Sequence, residues 1–432
     1  MKTAMLNARA LATVVVTLSQ VVSLEVSAEL AVTPSSDPAS AQYVLSAFAT
    51  GDWGATTYKG SCCNSQYNNY DLNAQEVVAT LMNIEAGTSL QPKAVLGHGD
   101  SFYWNGINFL EERDSRIQAS FEAKYDGENI KNVPWVNVMG NHDYGGSDYI
   151  CSSGNKLVPC NNTDELFQGL NNKFKWQAEY TSPNDNRWHM EDHFYVYRIK
   201  DPATGVSIDI LNVETNDAEV HGAELICCQC YGYAKTDSGG CNTIVREDKY
   251  CFGGDTAMFD TCMAKFAEWG SESRARLAQE VKKSTATWKI VNSHFNPYDH
   301  YYETGMNKWF DVLRQSGVRV YLHGHTHAEK HDYSESLGVH FVENGAGGGR
   351  QKGRPGTIQD YAAKYVKNVW AYTPTEYGFF SMQASKDWLK LKYHTTDNKW
   401  NFTENWADTT IGGVATKHCW YIPADGSEGN AC

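Results

Sequence analysis

The sequence predicts an α/β protein whose chemistry sits at the carboxyl ends of its strands. Three observations carry this prediction. Several short, β-like apolar runs stop at glycine or at a polar residue able to bind a metal. Stretches with apolar residues at helical spacing lie between them, for example Leu72 to Ala86 and Arg274 to Lys283. A late run, Gly378 to Ala384, is followed by Trp388 to Tyr393 and reads as a hairpin closing a second sheet.

The first run, Tyr43 to Ala49, enters Gly51-Asp52-Trp53-Gly54. The second, Lys93 to Gly97, enters Gly99-Asp100-Ser101-Phe102-Tyr103. Val133 to Met139 enters Gly140-Asn141-His142-Asp143. Trp288 to Val291 ends at His294, and Val318 to Leu322 ends at Gly324-His325-Thr326-His327. A single Gly-Asp is more often a turn than a site, and a lone histidine is more often structural. Turn chemistry does not explain five such segments, each after a β-like run. In open α/β sheets, ligands bind beyond the carboxyl ends of the strands.

Composition narrows the partners. The 432 residues fit one large α/β domain or a few smaller ones. Hydrophobic residues make up 41%, with 13 Trp and 25 Tyr, enough for a large core. The formal net charge of -14 argues against nucleic acid, whose backbone needs a basic footprint. A small phosphate ester stays open, because bound metals supply a local positive charge.

The amino terminus reads as a signal peptide over residues 1–28. Lys2 and Arg9 give a basic start, Leu11 to Val22 an apolar stretch, and Val26-Ser27-Ala28 a cleavage site. That stretch is too short and too polar for a stable membrane span. Residues 29–42 read as an arm, 43–400 as the catalytic domain and 401–432 as a tail, and residues 424–432 carry no GPI or ER-retention signal. With a signal peptide, the 12 cysteines predict disulfides and a secretory, lysosomal or vacuolar destination. Six of them, Cys227, Cys228, Cys230, Cys241, Cys251 and Cys262, crowd into residues 216–272, which read as a stapled insertion. A zinc knuckle fits less well, since paired C-x-x-C halves are missing. Sequons at Asn161 and Asn401 fit a glycosylated surface.

The strand-end residues suit two metal ions. Asp52 and Asp100 are hard oxygen donors, and Tyr103 as phenolate favours a trivalent ion. His294, His325 and His327 suit divalent Fe, Zn or Mn, and Asn141 offers a neutral oxygen. A carboxylate can bridge two ions about 3.5–4 Å apart, an arrangement that hydrolyses phosphate esters.

The order GD-x-G, GD-x-x-Y, GNH-D, V-x-x-H, GH-x-H resembles the purple acid phosphatases, from about Ala47 to about Tyr393. Tyr103, with Trp53-Gly54 where other metallophosphoesterases place GD-x-H, is the discriminating feature. Without an added β-sandwich, and with Arg187-Trp188-His189-Met190 leading to Tyr195, the chain is more similar to the small, tartrate-resistant type. The resemblance implies a four-layer α/β/β/α sandwich. It implies Fe(III) on Asp52, Asp100, Tyr103 and His327, and a divalent metal on Asp100, Asn141, His294 and His325. It implies that His142 contacts the phosphate of a small monoester or a phosphoprotein. The family's leaving-group histidine has no counterpart at its usual place, and His300 is the available candidate. His98 is read as a strand-end histidine. Two other functions remain: a structural or anchoring protein of the same fold, and a metal-dependent phosphodiesterase or nucleotidase. The oligomeric state is not legible.

Overall fold

A computed structural model describes residues 37–54, 68–349 and 353–432. The expected signal peptide, the first part of the arm, and Cys62 with Cys63 lie outside the described residues.

In chain order the strands are β1 (Leu45–Thr50), β2 (Val95–Gly97), β3 (Trp135–Asn137), β4 (Cys151–Ser153), β5 (Lys156–Val158), β6 (Trp188–His189), β7 (Tyr195–Lys200), β8 (Ser207–Asn212), β9 (Trp288–Asn292), β10 (Val318–His323), β11 (Glu329–Ser334), β12 (Val339–Asn344), β13 (Lys367–Tyr372), β14 (Gly378–Ala384), β15 (Trp388–Thr396), β16 (Val414–Pro423) and β17 (Asn430–Ala431). The α-helices are α1 (Asn69–Leu72), α2 (Ala74–Glu85), α3 (Leu110–Ile117), α4 (Asn141–Tyr144), α5 (Thr163–Ala178), α6 (His221–Cys228), α7 (Cys230–Ala234), α8 (Thr256–Lys283) and α9 (Glu303–Leu313).

One sheet has the order β17-β16-β15-β14-β1-β2-β3-β6, the other β13-β11-β12-β10-β9-β8-β7. Strands β1, β2, β3 and β6 run parallel, as do β8, β9, β10 and β12. Side-chain alternation then sets the layers. Leu45, Ala47 and Ala49 of β1 meet Ile208, Ile290, Val320 and Leu322 of the other sheet in one core. Phe48, one residue out of phase, joins the core shared with α2 and α5. On the far side, Val291, Val318 and Tyr321 pack with Leu277 of α8 and Trp309 of α9. The result is the expected four-layer α/β/β/α sandwich. The inner parallel strands are covered on both faces, so β1, β2, β9 and β10 read as near-continuous apolar runs.

Two expectations about the carboxyl end are corrected. The β14–β15 hairpin forms, but β14 pairs with β1 and so extends the first sheet. Residues 401–432 are not a tail beyond the domain. Val414–Pro423 pairs along β15 as β16, and Cys419–Cys432 closes the end. Its buried positions are His418, Tyr421, Ile422 and Pro423.

The Cys-rich segment after β8 forms α6, α7 and the start of α8, which continues unbroken to Lys283. Its disulfides are Cys227–Cys262, Cys228–Cys251 and Cys230–Cys241, and a separate one, Cys151–Cys160, closes the β4–β5 hairpin. Gly222 seats α6, because a Cβ there would lie 2.5 Å from the Phe295 ring and 3.4 Å from Asn141 Cβ.

Candidate metal centre

The loops after β1, β2, β3, β9 and β10 converge, bringing all seven expected ligands together. Asp52, Asp100 and His327 each place a ligand atom within 4.8 Å of the others, and so do Asp100, His294 and His325. Asp100 belongs to both groups, the position a bridging carboxylate requires. In the first group Tyr103 Oη donates to Asp52 Oδ1 at 3.1 Å and lies 2.9 Å from His327 Nε2. In the second, Asn141 Oδ1 is 3.0 Å from His294 Nε2 and 2.9 Å from His325 Nδ1.

The local backbone explains the glycines. Asp52, Asp100 and His325 hold φ of 53°, 52° and 69°, a region non-glycine residues rarely adopt. Such strain persists only where surroundings over-determine it. Here the His325 amide donates to Asp52 Oδ2 at 2.8 Å, and the His142 amide to Asp100 Oδ1 at 2.8 Å. A Cβ on Gly324 would collide with Asp52 Oδ2, and one on Gly140 with Asp100 Oδ1.

Further residues orient the cluster. Asp143 accepts from the amides of Ser101 (2.9 Å), Phe102 (3.0 Å) and Gly140 (2.8 Å), clamping the loop that carries Asp100 and Tyr103. His294 Nδ1 donates to His98 O at 2.7 Å, which turns its Nε2 toward Asn141. The His98 ring is buried against Asn292 Oδ1 at 2.6 Å, in keeping with a structural histidine.

These residues fit metal ions on their own chemistry. Asp52 and Asp100 are buried, and among the described residues they pair with imidazoles and with no lysine or arginine. Buried charges without a partner are costly. Asp100 Oδ2 has no hydrogen-bond partner. With Nδ1 donating to His98 O, His294 turns Nε2 to within 3.0 Å of the Asn141 oxygen, a pair that a cation between them would satisfy. Burial pushes the Asp52 carboxyl well above the ordinary carboxylate range. At Asp100 burial is outweighed by the His294 and His142 imidazoles, which hold it below that range. Burial, with Asp100 and Asp52 beside it, pushes the Tyr103 phenol well up, so ionising it calls for a strong cation.

A cleft of about 550 Å³ opens beside this cluster, with Asn141, His142 and His325 in its lining. His142 has Nδ1 3.1 Å from Trp104 O. His300 is not among the lining residues. Its Nε2 is 2.9 Å from Thr326 Oγ1, and its ring centroid is 4.6 Å from that of His325. The histidine that does line the cleft is His221, at the start of α6, with Nε2 3.1 Å from His325 Nε2. Sequence reasoning missed it, since one histidine in a Cys-rich segment carries no local signal. Its only mark was the i, i+4 spacing to Leu225 on one helix face.

The fold and this cluster match a known class. The calcineurin-like phosphoesterase model covers residues 48–329, more than half of the chain, and the chain belongs to that family. Within it the relatives are purple acid phosphatases. The chain is 25% identical over 174 residues to tartrate-resistant acid phosphatase type 5 of Sus scrofa, covering 40% of this chain and 39% of that protein. It thus spans about two fifths of the length of that relative. It is 24% identical over 337 residues to purple acid phosphatase 17 of Arabidopsis thaliana, covering 76% of each. Among solved structures, GAP50 of Plasmodium shares the fold at a TM-score of 0.51 and 14% identity, covering 87% of this chain and 90% of that one.

Proposed function

We propose that this chain is an acid phosphatase that hydrolyses phosphate monoesters at a binuclear metal centre. Asp52, Asp100, Tyr103 and His327 would hold Fe(III), and Asp100, Asn141, His294 and His325 would hold divalent Fe, Zn or Mn. One observation supports this most: the Tyr103 hydroxyl lies beside both Asp52 and His327, where a phenolate can join the donor set. When bound, such a pair of ions lowers the pKa of water and neutralises phosphoryl charge.

The chain's own residues position the ester. Asn141 and His325 line the cleft. His142, with its Nδ1 side tied to Trp104, keeps Nε2 for a phosphoryl oxygen. His300, expected as an acid, keeps an imidazole nitrogen within 4.8 Å of those of His221 and His325, beside the cleft, and its backbone also holds His221. The disulfides support folding in an oxidising secretory compartment. Among the described residues no helix is long and apolar enough to cross a membrane.

The test is the visible spectrum and metal content of protein from an oxidising secretory host. The expected result is a tyrosinate-to-Fe(III) band with about two metals per chain, lost in Tyr103→Phe, and faster turnover of a monoester than a diester. Colourless protein that neither iron nor divalent ions reconstitute overturns the assignment. A clear diester preference overturns the monoester reading.

A further inference from the structure

We infer that the disulfide-stapled segment after β8 builds a binding subsite for an apolar leaving group of about the size of an aromatic ring. This rests on the phosphatase reading above and extends it to substrate class.

Seven large apolar side chains are exposed among the described residues, and three of them, Trp104, Leu225 and Tyr231, line the single cleft that also holds His142 and His325. Their relative exposures are 39%, 40% and 42%, so each presents bare apolar surface to water. Scattered exposed residues need no explanation, but a contiguous group beside a reaction site marks a ligand surface.

The wall is built for this. On α6, His221 and Leu225 are one helical turn apart and share a face. Two and three residues after Leu225, Cys227 and Cys228 tie the carboxyl end of α6 to Cys262 and Cys251. Tyr231 follows on α7, where Cys230 is tied to Cys241. Gln229 between the helices accepts from the Ile150 amide at 2.8 Å, fixing the wall to the loop after α4. Trp104 also lines the cleft, and its ring meets His142 edge-on at a centroid distance of 4.9 Å. Gly145 and Gly146 line the cleft without side chains. No lysine or arginine is among the described lining residues. An ester whose phosphate reaches His142 therefore lays its organic part between Trp104 and the Leu225–Tyr231 face.

The test separates this subsite from leaving-group acidity and from the phosphatase reading. Metal-loaded protein is titrated with ethylphosphonate and 2-phenylethylphosphonate, which are not hydrolysed. In parallel, kcat/KM is measured for ethyl phosphate and 2-phenylethyl phosphate, whose leaving alcohols differ little in acidity. The phenyl compound should bind and react about tenfold better or more. Leu225→Asp and Tyr231→Ala should each bring both ratios toward one, and Tyr231 is exposed enough that its truncation leaves folding intact. Equal affinity of the two phosphonates overturns the subsite. Tighter phenyl binding without turnover of either ester upholds the subsite and overturns the phosphatase reading.

Discussion

His325 divides its two ring nitrogens between different tasks: Nδ1 lies 2.9 Å from Asn141 Oδ1, and Nε2 lies 3.1 Å from Nε2 of His221. His221 in turn bonds the backbone of His300. With the His221 Nδ1 proton donated to that carbonyl, its Nε2 accepts from His325 Nε2–H. The His325 Nδ1 lone pair is then fixed toward Asn141 and a cation. Outer partners of this kind set the tautomer of a ligating histidine.

His221→Ala should therefore loosen one of two metals, lowering its affinity by about 10- to 100-fold. Metal analysis after graded chelator dialysis reads this without reference to activity. His221→Gln, whose amide oxygen can still accept from His325, should recover part of the loss. Equal retention in all three proteins would show that His221 does not orient His325.

Gly222 couples the stapled segment to the metal cluster through contact alone. Gly222→Val puts side-chain atoms into the space of the Phe295 ring and against Asn141. Overpacking of this kind costs about 1–3 kcal/mol. A urea titration should show the lowered midpoint, and metal content should fall with it because α6 carries His221. An unchanged midpoint would mean that α6 is not seated on Phe295.

The five ligand segments were legible because they recur: any one alone reads as a turn or a structural histidine, but each of the five joins a strand-like run to a residue able to bind a metal. What stayed hidden depends on tertiary placement. Strands covered on both faces lose the alternation that would assign them to one sheet or the other, so Gly378–Ala384 was recognised as a strand but given to the wrong sheet. In Val414–Pro423 only His418 and the last three residues are buried, and Thr416 and Lys417 are exposed, so the stretch lacks a continuous apolar run and resembles a tail. His221 reaches the cleft through a turn of α6 fixed by disulfide pairing, and pairing cannot be read from cysteine positions. Asp143 was visible within its motif, but its three amide partners were not.

The helical layer on the β1 side holds a buried ion pair that should be fragile to one-sided change. Arg187 donates to Glu122 Oε2 from Nη2 at 2.7 Å and from Nε at 3.1 Å, and from Nη1 to Tyr125 O at 2.6 Å. Both side chains are almost wholly buried, at 0% and 2% exposure, and the guanidinium lies 4.4 Å from the Phe121 ring centroid. Glu122→Gln keeps the shape and strands the guanidinium, a change that costs about 3–5 kcal/mol. Equilibrium unfolding should show that loss, while Glu122→Gln combined with Arg187→Met should recover a measurable part. A double variant as unstable as the sum of the singles would mean that the two side chains act independently.

Stability should fall in acid for a reason remote from the metals. His331 Nδ1 lies 2.9 Å from His418 Nε2, and His331 Nε2 lies 2.8 Å from His340 Nδ1, a buried chain of three imidazoles. Burial lowers His340 to about 3 and His418 to about 4, and burial with both neighbours lowers His331 well below the usual imidazole range. Folded pKa values below the unfolded value of 6.5 mean that the unfolded chain binds more protons between them. Stability is therefore full above about pH 6.5 and declines as the pH falls toward 4. For His340 alone the loss at pH 4.5 is about 2–3 kcal/mol. Urea midpoints measured from pH 7 to pH 4.5 should trace this decline, and His331→Gln, which can still bond both neighbours but does not titrate, should make it shallower by the His331 share while His340 and His418 keep theirs. Because the proposed activity is acidic, the protein would work on this falling limb. Unfolding midpoints that stay level across the range would show that the three imidazoles take up protons as readily in the fold as outside it.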